Sequence, residues 1–289
     1  MINCSFQNLP FSKLFTTYTS DFSEVGTFYD YNPFEFQSIR QKAQKVQFTG
    51  DRGKIAELLR DFNKPFDLHE NARENLDRLQ EEDALALVTG QQLGVYGGPL
   101  YTMLKAVSAI HLARELEERL GQPVIPVFWL ADEDHDYDEV RTLDLLNGGE
   151  LQHFELPFRV QPLPPIAKLP LPDELDRLRD QVREGMYETD FSDDLWQLLD
   201  SCYQPGTTFV RSFGQLISRL FSKHGLLLAG SNHPVIKAQT REVLKGSIRE
   251  AEAVRSALGR QTGQIKEPFH QQVTLYDSNL FYFSDEEIA

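Results

Sequence analysis

The chain has 289 residues, 40% hydrophobic and 25% charged, with 29 basic against 44 acidic side chains and a formal net charge of −15. This describes a globular chain long enough for one large or two ordinary domains, and it argues against nucleic acid or an anionic membrane as partner, since both require a basic face. Two isolated cysteines (Cys4 and Cys202), no apolar run of membrane-spanning length and no signal-peptide pattern at the start lead to the expectation of a reducing cytoplasm.

In chain order, residues 1–80 read as a helical arm rich in aromatics, with Phe6, Phe11, Phe15, Tyr18, Phe22 and Phe28 before any strand. Such rings bury against another surface or, more simply, against their own core. Helices are expected over Lys54–Phe62 and Glu70–Leu79. Residues 81–147 read as the first half of an α/β core. The apolar run Ala84–Val88 predicts a buried parallel strand. A loop with Gly90, Gly94, Gly97 and Gly98 follows, and Pro99 stands where a helix begins. Leu100, Leu104, Val107, Ile110 and Ala113 predict the buried stripe of that helix, which Gly121 stops. Val124–Leu130 is a second apolar strand. Strand, helix and strand so closely spaced predict a crossover in a parallel sheet, with ligands at the carboxyl ends of the strands. Those ends are the Thr89–Pro99 loop and the Ala131–Val140 segment.

Residues 148–204 read as a connecting insertion. Arg141–Leu156 has weak periodicity, and six prolines between Pro157 and Pro172 predict extended chain. Asp173–Arg183 and Phe191–Tyr203 look helical, the second capped by Ser192. The core resumes over 205–289, with a helix marked by Phe213, Leu216, Ile217, Leu220 and Phe221, then a strand over Leu226–Gly230. A long helix from Val235 to Leu258 and a hairpin over His270–Phe283 close the chain. The fold class is α/β: a Rossmann-like parallel sheet with flanking helices, interrupted by a helical, proline-rich insertion.

Two stretches carry candidate chemistry. The Thr89–Lys105 stretch is neither a Walker loop nor a GxGxxG fingerprint. Its backbone N–H groups at a helix start suit a phosphate or carboxylate. Thr89, Gly90, Gln91, Gln92 and Gly98 are the binding candidates there. Tyr101 and Lys105 share a helix face, and the lysine can lean back toward the loop mouth. The bland alternative is a tight turn with a surface lysine. The second stretch places six carboxylates between Asp132 and Glu139, around His135. Carboxylates packed at a sheet end require a cation, and an amine or Mg²⁺ shared with phosphate would serve. Glu133, Asp134 and Asp136 are the candidates, and His135 is a candidate general base. No second histidine or cysteine lies at zinc spacing. Asn232, in the turn after the third strand, is a further binding candidate or simply a helix cap. Trp129 borders the acidic segment as a substrate contact, although with Phe128 it reads first as core. No nucleophile elbow occurs.

The run TGQQxGxxxGPxYxxxK (Thr89–Lys105), followed by PVFWLADEDHDYDEV (Pro126–Val140), resembles the bacillithiol-biosynthesis cysteine-adding family, BshC. The likeness extends more weakly through Gly225–Gln239 and His270–Phe283. Members of that family are nearly twice as long, so the chain resembles their N-terminal and core portion without a later helical arm. The resemblance implies a ligase that joins cysteine to glucosaminyl-malate in the last step to bacillithiol, with Lys105 and His135 catalytic. ATP with Mg²⁺ is the simplest source of carboxyl activation, although no KMSKS-like loop is present. A homodimer through C-terminal helices is also implied. Another amide-forming or nucleotidyl-transferring enzyme on the same core, and a non-catalytic small-molecule-binding relative, stay open as readings of the residues.

Overall fold

The computed structural model describes residues 5–159 and 164–275. Contacts divide the chain into two units, residues 50–239 and residues 1–49 with 240–289. The smaller unit opens with α1 (Lys13–Ser20), capped by the Ser12 hydroxyl, and α2 (Phe36–Lys45). Its aromatic residues cluster edge-on, as in Phe6–Phe15 and Tyr18–Phe22. Neither helix buries a residue fully.

The larger unit begins with α3 (Arg52–Asn63) and α4 (Glu70–Arg78), close to the expected spans. Asp51 caps α3 by accepting from the Lys54 N–H at 3.0 Å. Strand β1 (Leu85–Gln91) then runs parallel to β2 (Val124–Leu130), joined by α5 (Tyr101–Leu120). Gly121, at φ 73°, stops α5 in the left-handed conformation expected of it.

Two details of this unit differ from expectation. First, β1 continues three residues past Val88, because Thr89, Gly90 and Gln91 pair with Phe128, Trp129 and Leu130. Gly90 is a strand glycine: a Cβ there would lie 2.5 Å from the Trp129 carbonyl oxygen. Second, α5 begins at Tyr101, after Pro99, and buries Thr102, Ala106, Ala109, Ile110 and Ala113. Leu100, Leu104 and Val107 are 75%, 56% and 52% exposed. The small side chains turn toward the sheet and let the helix approach, which leaves the leucine stripe uncovered.

A short helix α6 (Tyr137–Val140) leads into an antiparallel hairpin, β3 (Thr142–Asn147) and β4 (Glu150–Glu155). This hairpin corrects the weak reading of Arg141–Leu156. Its signal was the Asn147-Gly148-Gly149 turn, where both glycines take positive φ as a two-residue hairpin turn requires. The insertion continues through α7 (Leu175–Gly185) and α8 (Ser192–Cys202). Within the described part of the proline-rich chain, Ile166–Lys168 form a 3₁₀ turn rather than extended chain, and the extended pairing is confined to Leu169–Leu171: Leu171 donates to Thr207 O and Gly206 donates back to Leu171 O, each at 2.8 Å. Helix α9 (Phe209–Phe221), capped by Thr208, then delivers β5 (Leu227–Gly230), which pairs parallel with β2. The sheet order is β1-β2-β5.

The core of this unit centres on Ile125, Phe128 and Leu130 of β2, Leu227 and Leu228 of β5, and Phe213 of α9. The long helix expected to run from Val235 to Leu258 is two helices, α10 (Pro234–Arg249) and α11 (Ala251–Lys266), because Glu250 leaves helical backbone at φ −108°, ψ 23°. The hairpin expected over 270–283 lies, from residue 276 onward, outside the described residues. Among the described residues no helix is long and apolar enough to cross a membrane.

Candidate functional site

The parallel strands β1 and β2 end together, so the loop after Gln91 and the acidic segment after Leu130 face one another. The loop is shaped from within. Leu93 and Val95 are fully buried, and Gly94 and Gly98 pinch so closely that a Cβ on Gly94 would lie 2.6 Å from the Gly98 Cα. Tyr203, from the end of the insertion, donates to Gly94 O at 3.1 Å and accepts from the Gly97 N–H at 3.0 Å. Burial pushes the Tyr203 phenol well up, so it stays neutral in these bonds. The Gly98 N–H is spent on Val95 O. Two of the loop donors that the sequence left available to an anion are therefore engaged in holding the loop. Tyr203 was missed because its partners lie 106 and 109 residues away.

A chain of polar side chains crosses the strand ends. Lys105 Nζ donates to Gln91 Oε1 at 2.8 Å and lies 3.3 Å from Gly90 O, with its ammonium over the Tyr101 ring. Gln91 passes the connection to Gln92 Oε1 at 2.9 Å and to the Tyr101 hydroxyl at 3.3 Å. Gln92 reaches the acidic segment, donating to Glu139 Oε2 at 2.8 Å and Asp134 Oδ2 at 3.4 Å. The backward lean of Lys105 thus brings it to the strand end, and the paired glutamines bridge the two motifs. An open cleft of about 280 Å³ lies beside this chain, lined by Gln91, Gln92, Gly98, Tyr101, Glu139 and Asp144.

The acidic residues divide by role. Asp132 is buried; it accepts from the Asn232 N–H at 3.0 Å and the Ser231 hydroxyl at 3.2 Å, tying the end of β2 to the end of β5. Burial raises its carboxyl above the usual range against the pull of those bonds. Asn232 therefore meets the acidic segment through its backbone. Glu133 is partly buried, which alone would raise it, but Lys237, Ser231 and the nearby His135 outweigh burial and hold it below its ordinary value. Lys237, 2.9 Å away, is a partner that spacing could not reveal. Asp134 Oδ1 accepts from the backbone N–H groups of His135 (2.7 Å) and Asp136 (3.1 Å), and Asp136 caps α6. Glu139 is raised, first by burial and then by the charges of Asp136 and Asp134.

His135 is half-buried, between Asp134 and Asp136 in the chain and near Glu133. Trp129 corrects the core reading. Phe128 is fully buried, whereas Trp129 lies on the opposite face of β2 and is 37% exposed. Thr89 is part of β1 and half-buried. Among the described residues no three histidines, cysteines or carboxylates converge as a metal cage. Asp134 and Glu139, drawn together by Gln92, nonetheless suit a Mg²⁺ ion whose other ligands come from phosphate and water.

The family model for the N-terminal Rossmann-like domain of bacillithiol biosynthesis BshC matches residues 1–288. The chain belongs to the BshC family. Similar relatives include proteins named "Putative cysteine ligase BshC" from Salinibacter ruber, 31% identical over 284 residues, and Geobacillus thermodenitrificans, 29% identical over 281. Each alignment covers 96% of this chain, but only 51% and 52% of the respective relative. A third, from Chlorobaculum tepidum, is 32% identical over 252 residues, covering 84% of this chain and 44% of the relative. The chain thus spans about half the length of the curated relatives it matches. The α/β architecture with a parallel sheet agrees with the BshC domain description.

Proposed function

We propose that the chain carries the nucleotide-fold part of a cytoplasmic ligase that joins cysteine to the amine of glucosaminyl-malate, the step that completes bacillithiol. The observation that carries this reading is the Lys105–Gln91–Gln92–Asp134/Glu139 chain at the shared carboxyl ends of two parallel strands, in a member of the BshC family. It offers an ammonium at one end and carboxylates at the other, with uncharged amides between.

Amide formation sets two requirements. The attacking amine must be bound and stripped of a proton, and the cysteine carboxyl must carry a leaving group. Glu133, Asp134 and Asp136 bind the ammonium form of the amine, and His135 takes its proton as the general base. Lys105, held toward the strand end by Gln91, binds the anionic group, a phosphate or the malate carboxylate. Tyr101 and Trp129 supply ring surface beside the strand ends, and Asn232 holds the turn opposite. ATP with Mg²⁺, when bound, supplies the activation of the carboxyl, and Asp134 and Glu139 are the residues that would hold the metal. The partners are these small molecules, and the assembled enzyme is a homodimer.

The test is a mass-spectrometric assay with cysteine, glucosaminyl-malate and ATP·Mg²⁺, scoring the amide product and AMP or ADP. Product that falls at least about a hundredfold in His135→Ala, the lower end expected for loss of a general base, with an unchanged melting temperature, supports the assignment. Turnover unaffected by His135→Ala removes His135 from the mechanism. Absence of product together with a melting shift on adding glucosaminyl-malate would favour the binding-only relative.

A further inference from the structure

The two edges of the parallel sheet are finished differently, and the difference points to a missing neighbour. Within β1, Leu85 donates to Pro123 O and Gln91 O accepts from Ala131, so the odd-numbered residues face β2. Backbone groups alternate sides along a strand. Ala86, Val88 and Gly90 therefore turn their N–H and C=O groups to the free edge. Among the described residues, only the Gly90 carbonyl meets a partner there, the Lys105 ammonium at 3.3 Å. Val88 is 57% exposed, although parallel strands are ordinarily buried on both faces. Beside it runs an open groove of about 380 Å³, with Val88, Leu104 and Leu112 among its lining. Leu104 and Leu112 are themselves exposed.

An open parallel edge next to an apolar groove takes a strand followed by a covering helix, because the edge groups need backbone partners and the groove needs side chains. Among the described residues the sheet has three strands, where roughly four to six are usual. The BshC relatives carry about as much chain again beyond the matched part, and the matched part is described as their N-terminal domain. We propose that the β1 edge and the Leu104–Leu112 groove form the docking seam for the C-terminal half of the family's protein, which adds a strand parallel to β1 and a helix over the leucines. The added strand makes β1 internal and turns the carboxyl end of β1 into a switch point with strands on either side. The Gln91–Pro99 loop and Lys105 then line the crevice where such sheets bind ligands. Lys105, which guards Gly90 at the open edge, would exchange that carbonyl for ligand once a strand arrives. The seam rests on family membership and the geometry of β1, and not on the chemistry proposed above.

The test joins the C-terminal half of the Salinibacter ruber relative to the end of this chain and compares amide hydrogen exchange in the fusion and in the chain alone. The seam predicts that the Ala86 and Val88 amides exchange at least about tenfold more slowly in the fusion. Val88→Lys with Leu104→Glu should return them to the rate of the chain alone, while the double variant of the chain alone keeps its melting temperature because both positions are exposed. Adding the C-terminal half as a separate polypeptide should give the same protection. Equal exchange rates in every format would overturn the seam. Concentration-dependent protection in the chain alone would also overturn it, by showing a second copy as the occupant. A fusion that makes product with an unprotected edge would leave the proposed activity standing and remove this inference.

Discussion

At the β5 edge the side-chain amide of Asn63 takes the place of a neighbouring strand. Its Nδ2 donates to Leu228 O at 2.7 Å and its Oδ1 accepts from the Leu228 N–H at 3.2 Å. Asn63 is buried, and Nδ2 also donates to Leu59 O within α3. At the β1 edge, among the described residues, the corresponding groups of Ala86 and Val88 have no such side chain built against them, and a lysine stands at Gly90 alone. One edge is closed by an internal partner and the other is left as a surface. A buried backbone pair must be satisfied from within the domain, whereas an exposed pair can be satisfied by water until another chain replaces it.

Equivalent truncations should separate the two edges most clearly. Leu228→Ala, at a fully buried position, should cost about 3 kcal/mol in urea denaturation. Val88→Ala, on the open edge of the chain alone, should change stability by less than about 0.5 kcal/mol. Similar losses at both positions would show that β1 is already covered. Asn63→Leu comes next, because it strands the Leu228 N–H and C=O in the interior. A loss of about 2 kcal/mol is expected, and a neutral variant would mean that water reaches the β5 edge.

A smaller effect should appear in the pH dependence of stability. Burial raises Asp132 above its ordinary 3.8, against the bonds from Asn232 and Ser231. The folded state then holds that proton more tightly than the unfolded chain does. Stability is therefore lost as pH rises from 3.8 through the raised folded value, and the loss persists above it. Asp132→Asn keeps an acceptor for both partners and removes the titration, so its urea midpoint should fall less than the parent's across that window. Parallel curves for the two proteins would show that Asp132 ionises in the fold at no cost. A small stability change is also expected of Lys105→Ala. Its contacts are at the surface, and less than about 1 kcal/mol should be lost. A larger loss would mean that Lys105 holds the β1 edge together rather than serving the cleft.

The strand–helix–strand unit was legible because its signals are local: apolar runs at Ala84–Val88 and Val124–Leu130, and a glycine, Gly121, where the chain leaves α5 at positive φ. The β3–β4 hairpin was not read from Arg141–Leu156, whose periodicity is weak, although the Asn147-Gly148-Gly149 turn carries its local signal. The buried face of α5 was legible only in part, at Ile110 and Ala113. Two stripes of the same helix are apolar, and periodicity alone cannot say whether leucines or alanines meet the sheet. Packing distance decided in favour of Ala106, Ala109 and Ala113. In the candidate site the two motifs could be placed at one sheet end from topology, yet their bridge could not be foreseen. Nothing local to Gln91 and Gln92 distinguishes a bridge from a pair of amides facing solvent.

By itself, then, the sequence determined the element types, the parallel crossover, the acidic and glycine-rich strand ends and membership of the BshC family, all carried by residues near one another in the chain. The tertiary structure alone decided that Tyr203 holds the loop, that Lys237 neutralises Glu133, that Asp132 locks the turn at Asn232 and that Asn63 closes one edge of the sheet. Each is a pairing of polar groups far apart in sequence. A side chain advertises its capacity to donate or accept, but only folding brings the matching partner within about 3 Å and out of competition with water.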